Sequence, residues 1–185
     1  PIRYNYRYFA SVNTGIPSGH DLDNDGVVGG ANDAYGYGKH PGQYGMLVLS
    51  QYPIEKLNVR TFQKFLWKDM PGALAPIRPD GSPWYTAKAW DRFRLSSKSH
   101  WDIPISTPLG TLHLLVSHPT PPVFDGVEDR NGRRNHDEIR FWAEYISGAD
   151  SFWILDDDGA RGGLKTGERF VIAGDLNADP ADGEG

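Results

Sequence analysis

Phe170-Val171-Ile172-Ala173-Gly174-Asp175-Leu176-Asn177-Ala178-Asp179-Pro180 decides how the rest of the chain is read. Four apolar residues end in a glycine and a polar cluster, which reads as a buried strand delivering Asp175 and Asn177 at its C-terminal tip. In extended backbone, residues i and i+2 face the same way, roughly 6–7 Å apart. A carboxylate and a carboxamide presented together can hold a water and a phosphate oxygen at once. Gly174 lets the backbone approach closely just before them. Taken alone, the string reads equally well as an Asx-rich turn with solvated side chains.

A second strand tip lies upstream. Leu112-His113-Leu114-Leu115-Val116-Ser117 leads into His118 and Pro119. A single histidine before proline reads more readily as a structural residue. The two tips, in this order and each after an apolar strand, shift the weight toward chemistry.

Working outward, Trp101 to Ser106 and Thr111 to His118 are expected to form a hairpin through the Pro108-Leu109-Gly110 turn. The second of these strands is apolar on both faces, as in the middle of a layered sheet. Gly45 to Ser50 reads as another buried strand, with Leu57 to Phe62 as its neighbour. Ile2 to Val12 alternates, with Tyr4, Tyr6 and Tyr8 on one face, and is predicted to be a strand. Ser82 and Pro83 read as an N-cap and first helical position ahead of Trp84, Ala87 and Trp90. The clearest amphipathic helix is Asn135 to Ile146, with Ile139, Trp142, Ala143 and Ile146 at i, i+3, i+4 and i+7. Strands and helices alternate without strict βαβ spacing, which favours mixed sheets packed in layers over a doubly wound parallel sheet.

The 185 residues suit one domain. With 22 Gly and 14 Pro, the ordered elements must be joined by many turns and long loops. No apolar run approaches the ~18 residues of a membrane span. No signal peptide or basic arm stands at the start. The absence of cysteine rules out disulfides and Cys-ligated zinc. A net charge of -5 leans against nonspecific duplex DNA binding.

Three stretches resemble the endonuclease/exonuclease/phosphatase superfamily, whose fold is that of pancreatic deoxyribonuclease. YGMLVLSQYPI (44–54) is similar to the family's glycine–apolar strand–LSRYPI segment. LHLLVSHPTPP (112–122), followed by an arginine-containing helix, is similar to the strand bearing the catalytic histidine. FVIAGDLNADP (170–180) is similar to the GDFN motif. The resemblance implies an α/β (α+β) fold of two mixed β-sheets packed as a sandwich with helices outside. It also implies a phosphoester hydrolase dependent on Mg²⁺ or Mn²⁺.

Carried onto these positions, the resemblance has His118 stabilise the pentavalent phosphoryl transition state. Asp175 orients or deprotonates the attacking water, and Asn177 positions that water or a phosphate oxygen. Lys98 sits near where the family often has a phosphate-contacting Arg, against the plainer expectation of an exposed, solvated lysine. Glu128 to Asn135 supplies Arg130, Arg133 and Arg134, at most one of which is expected to meet substrate, with Arg130 and Arg134 the candidates. Its alternative is a salt-bridged loop held by Asp125, Glu128 and Asp129.

The family's metal-binding Glu and late Asp-His pair have no convincing counterpart here. The expectation is therefore an internal fragment, incomplete at both ends and inactive alone. Its open sheet would be covered by the remaining segments or by a second copy.

Residues 13–43 form a long Gly- and Asp-rich stretch without periodicity, of the kind that is functional or mobile. Within it, Asp21, Asp23 and Asp25 alternate ahead of Gly26, with Val27 offering a carbonyl, as in a calcium loop. The closing acid falls at Asp33, one place late. A structural calcium ion is expected there, and an acidic surface loop is the alternative. Asp156 to Asp158 reads as a solvated turn. A calcium-stabilised extracellular binding module built on the Tyr- and Trp-rich segments is the rival from another class. Nuclease, phosphatase and lipid phosphodiesterase stay open within the enzyme class, and the compartment leans toward secretion.

Overall fold

Around Pro108-Leu109 the chain folds back on itself as the alternation requires. In a computed structural model describing residues 2–148, 151–179 and 181, Thr107 faces Gly110 across the turn, and the Thr107 hydroxyl donates to the Gly110 carbonyl at 2.6 Å. The strands among the described residues are Tyr6–Tyr8 (β1), Val48–Ser50 (β2), Arg60–Thr61 (β3), His100–Thr107 (β4), Gly110–Ser117 (β5) and Phe170–Ala173 (β6). Ala87–Trp90 (α1) and Arg130–Ser147 (α2) are α-helical. One sheet has the order β3-β4-β5-β6, with β6 parallel to β5 and the other pairs antiparallel; β1 and β2 make a separate antiparallel pair. The fold is thus mixed α/β with two sheets.

β4 sits between two apolar layers, and its alternation assigns each side chain to one of them. Trp101, Ile103 and Ile105 meet Val12, Val48 and Ile54 beneath the β1–β2 sheet, where the Tyr8 ring stands edge-on to Trp101 at 5.3 Å. On the opposite face, α2 lays Phe141, Trp142 and Tyr145 into a cluster with Phe62, Trp67 and Leu115. Tyr145 donates to Asp102 at 2.6 Å, and His100 Nε2 donates to the Glu138 carbonyl at 2.8 Å. Each buried aromatic ring contributes about 1.5–3 kcal/mol of burial.

Several elements differ from expectation. The N-terminal strand is confined to Tyr6–Tyr8, because β2 offers only three residues for pairing. Leu47 and Leu49 are exposed while Val48 and Ser50 are buried, since the two-stranded sheet covers one face only. Phe170–Ala173 was expected to be buried and is exposed throughout, being the edge strand beside β5. α1 begins at Ala87, because the Thr86 side chain rather than Ser82 accepts the capping amide, that of Ala89 at 3.2 Å. α2 begins five residues earlier than its apolar pattern, where Asp125 accepts the Asn131 amide at 2.6 Å. Its buried stripe is rotated: Glu138, Phe141, Trp142 and Tyr145 point inward and Ala143 is exposed.

The 13–43 excursion is tied down at its root. Asn13, fully buried, donates to the Gln63 and Ser96 carbonyls at 2.7 Å each and accepts from Arg94 at 2.7 Å. Gly36 passes so close to Ser97 that a Cβ there would overlap the Ser97 carbonyl oxygen. Asp156 and Asp157 are likewise engaged rather than solvated, whereas Asp158 is exposed. Asp156 pairs with Arg60 at 2.7 Å, and Asp157 accepts from the Thr61 hydroxyl and the Gln63 and Lys64 amides. Among the described residues no helix is long and apolar enough to cross a membrane.

Candidate active site

Parallel pairing brings β5 and β6 to an end side by side, with Val116 in register with Ala173. His118 and Asp175 each follow two residues later, so both emerge at one edge of the sheet. His118 Nε2 lies 3.9 Å from Asp175 Oδ2; the Asp175 side chain is 69% exposed, that of His118 26%. Asn177, held in the left-handed region at φ 50, gives its amide to Asp175 Oδ1 at 3.1 Å and its carboxamide Nδ2 to the Pro119 carbonyl at 3.1 Å. The Asx-turn therefore forms, and it brings both side chains against the His118 segment. Asn135 of α2 clamps the two tips, donating to the Thr120 carbonyl at 2.8 Å and the Leu176 carbonyl at 3.0 Å.

Lys98 lies beside this pair, buried rather than solvated, with Nζ donating to the Pro119 carbonyl at 3.3 Å. Burial pushes its pKa down to about 8, against the attraction of Glu138. Glu138 takes the Ser97 amide on Oε1 and the Thr120 amide on Oε2, each at 2.6 Å, and so joins the Lys98 loop to the His118 loop. Burial raises its carboxyl pKa, opposed by Arg134 and those two amides. His118 is shifted below an ordinary histidine, first by burial and then by repulsion from Lys98, with Asp175 pulling the other way. An arriving phosphoryl dianion adds the negative charge that favours both protonated forms.

Sequence reasoning missed Asn135 and Glu138 as part of this site. Their signal was polar residues in register with an apolar stripe: Glu138 stands four and seven positions before Trp142 and Tyr145.

The arginines divide differently from expectation. Arg134 is buried; its Nε donates to the Leu95 carbonyl at 2.8 Å and its Nη2 to the Tyr35 and Arg94 carbonyls at 2.6 and 3.0 Å. Its guanidinium also lies 4.5 Å from the Phe93 ring centre. These bonds make it a brace between α2 and two loops, and its side chain also lines the cavity beside His118. Arg130 pairs with Glu128 and donates to the Phe124 carbonyl at 3.2 Å. Arg133 keeps a 3.9 Å contact with Asp129.

A cavity of about 500 Å³ opens beside His118 and Lys98. Part of its wall comes from the 13–43 excursion through Asp23, Tyr37 and Tyr44, and part from Phe124 and the first turns of α2. Asp23 of that wall groups with Asp21 and Asp25, whose ligand oxygens all lie within 4.8 Å of one another. Asp21 Oδ1 is buried without a hydrogen-bond partner. Asp33 does not join them. Its oxygens accept the Leu22 amide at 2.6 Å and the Gly29 amide at 2.7 Å, so the expected closing ligand is instead a buried staple of the loop. Val27 is exposed, and its amide donates to Asp25 at 2.8 Å.

Among the described residues, a divalent metal finds no cluster of three ligands at His118. Among the described residues, three metal-ligating side chains come together only at Asp21, Asp23 and Asp25.

A family model described as "Endonuclease/Exonuclease/phosphatase family" matches residues 5–185. No curated protein and no solved structure matches the chain.

Proposed function

The chain belongs to the endonuclease/exonuclease/phosphatase family, and on that premise we propose that it is a phosphoester hydrolase working through His118, Asp175, Asn177 and Lys98. Members of this family are generally metal-dependent phosphoesterases. The observation that supports this site is the 3.9 Å approach of His118 to Asp175 at the ends of two parallel strands. Had these residues pointed apart, the binding-module reading would stand better.

In this reading His118 and Lys98 place positive charge where negative charge accumulates on the phosphoryl oxygens. Asp175, turned outward, orients a water and accepts its proton as the water oxygen bonds to phosphorus, while the ester P–O bond breaks and the alcohol leaves with its electron pair and takes a proton from solvent. Asn177, anchored on Pro119, positions that water. Positioning and electrostatic stabilisation are the main contributions in such sites. The metal, Mg²⁺ or Mn²⁺ in this family, would supply further charge stabilisation when bound. It needs ligands beyond those gathered at His118.

The Asp21, Asp23 and Asp25 cluster forms a second, structural site in this proposal, which takes Ca²⁺. The buried, unpartnered Asp21 Oδ1 supports it.

The test is hydrolysis of bis(4-nitrophenyl) phosphate and 4-nitrophenyl phosphate with Mg²⁺ or Mn²⁺, alongside inorganic phosphate binding followed at the His118 imidazole by NMR. His118→Ala should lower kcat/KM on the order of 10²-fold or more. Inorganic phosphate should shift the imidazole signals. A variant as active as the parent, or an imidazole indifferent to phosphate, overturns the proposal.

A further inference from the structure

We infer that the cavity beside His118 selects a compact ester carrying one phosphoryl group and an aromatic or similarly flat apolar group, and that the 13–43 excursion and Phe124 form the wall that recognises the apolar part. This rests on the phosphoesterase reading above and adds the substrate class.

Charge comes first. Four cationic or potentially cationic side chains line the cavity: Lys98, His118, Arg130 and Arg134. Arg134 is bound to three backbone carbonyls, and Arg130 is neutralised by Glu128. Lys98 and His118 remain, adjacent to each other, which is enough for one phosphoryl group. A nucleic-acid backbone needs a row of cations along its length. The wall instead presents Asp23 with Asp21 and Asp25 beside it, in a chain of net charge -5. A second phosphate meeting that wall would be repelled.

Shape and lining come second. About 500 Å³ matches a small-molecule pocket rather than a groove for a duplex. Its floor includes the buried rings of Tyr85 and Phe93, and its rim the half-exposed rings of Tyr37 and Tyr44. Rings of this kind offer faces for stacking at little entropic cost.

Phe124 carries the inference furthest. The residue is 88% exposed while it lines the cavity, and its backbone sits at φ 66, unfavourable for a bulky residue. The neighbouring chain holds it there: Arg130 donates to its carbonyl at 3.2 Å, and Asn131 grips Val123 and Asp125 at 2.7 and 2.6 Å. Folding alone gains little from holding an aromatic ring out in water on strained backbone. A ring that closes over a flat ligand gives that conformation a use.

Calorimetric titration with inorganic phosphate, phenyl phosphate and a 12-base-pair DNA duplex tests this. Phenyl phosphate should bind about tenfold or more tightly than inorganic phosphate, because the cavity buries its ring. Phe124→Ala and Tyr44→Ala, both at exposed positions, should abolish that advantage and leave inorganic phosphate binding unchanged. Phe124→Tyr should restore it, whereas Lys98→Met should weaken both ligands. Equal affinity for the two phosphates, or duplex binding tighter than phenyl phosphate, overturns the inference and leaves the hydrolase reading intact. If inorganic phosphate neither binds nor perturbs His118, the hydrolase reading fails, and the inference falls with it.

Discussion

The backbone at Gly174 runs against that of Ser117 so closely that a Cβ on the glycine would overlap the Ser117 carbonyl oxygen, and Gly174 also holds φ 149. This contact keeps the exits of β5 and β6 together, and His118 and Asp175 leave from them one residue further on.

Gly174→Ala is therefore expected to cost more than about 2 kcal/mol in urea unfolding, since both the clash and the positive φ oppose it. It should also move the His118 NMR signals. Gly81→Ala is the comparison: φ is 83 and no atom stands within 4 Å, so only the backbone conformation resists, at about 1–2 kcal/mol. Equal losses in the two variants would show that the close approach contributes nothing.

Glu138→Ala leaves the Ser97 and Thr120 amides buried without acceptors, at about 1–3 kcal/mol for each unmade bond. Because these amides belong to the Lys98 and His118 loops, inorganic phosphate affinity should fall together with stability. Unaltered affinity in a destabilised variant would limit Glu138 to packing.

The pKa of His118 is held down partly by Lys98 and held up by Asp175. Lys98→Met should raise it and Asp175→Asn should lower it further, in an NMR titration of the imidazole. Movement in the same direction in both variants would contradict the arrangement of the three groups.

His100 is buried against α2, and desolvation depresses its pKa from the ordinary histidine value of 6.5 to about 4. The Glu138 carbonyl requires Nε2–H, which leaves Nδ1 to accept from Ser96 at 2.6 Å. Below pH 6.5 the unfolded chain binds this proton first, so stability should fall as pH drops from about 6.5 toward 4. The full effect is on the order of 3 kcal/mol. His113, raised by its bond to Asp102, has the opposite sign: its contribution is present below pH 6.5 and lost as pH rises. Urea unfolding of the parent and of His100→Gln across pH 4–7 separates the two. The variant should lose the acid slope.

Calcium should raise the melting temperature, with Asp21→Asn or Asp23→Ala removing the rise and Asp33→Asn lowering stability even without calcium. The last expectation follows from Asp33's two backbone bonds. An unchanged melt in excess calcium would leave the acidic trio as a surface loop.

The central hairpin, β6 and the two polar tips were legible in the sequence because local pattern specifies them: apolar runs with period two, a Pro-Leu-Gly turn, and Gly174 ahead of Asp175. The amphipathic helix was legible, but its orientation was not. Ile139, Trp142, Ala143 and Ile146 and the stripe through Glu138, Phe141 and Tyr145 are both compatible with a 3.6 period. Which of the two faces inward depends on what the sheet offers. His100 and Asp102 offered hydrogen-bonding partners, and α2 turned its polar groups to meet them.

By itself the sequence determined the central hairpin, the polar tips that follow two of the strands and the family of the chain, because these reside in neighbouring residues and their spacing. Only the tertiary structure decided how far each charge is engaged by the backbone. Lys98 and Arg134 look alike as basic residues in polar segments. One has a single backbone carbonyl partner within a cavity, and the other is bound to three carbonyls. That difference arises from residues far apart in the chain, and desolvation and hydrogen-bond satisfaction depend on what surrounds a group in space.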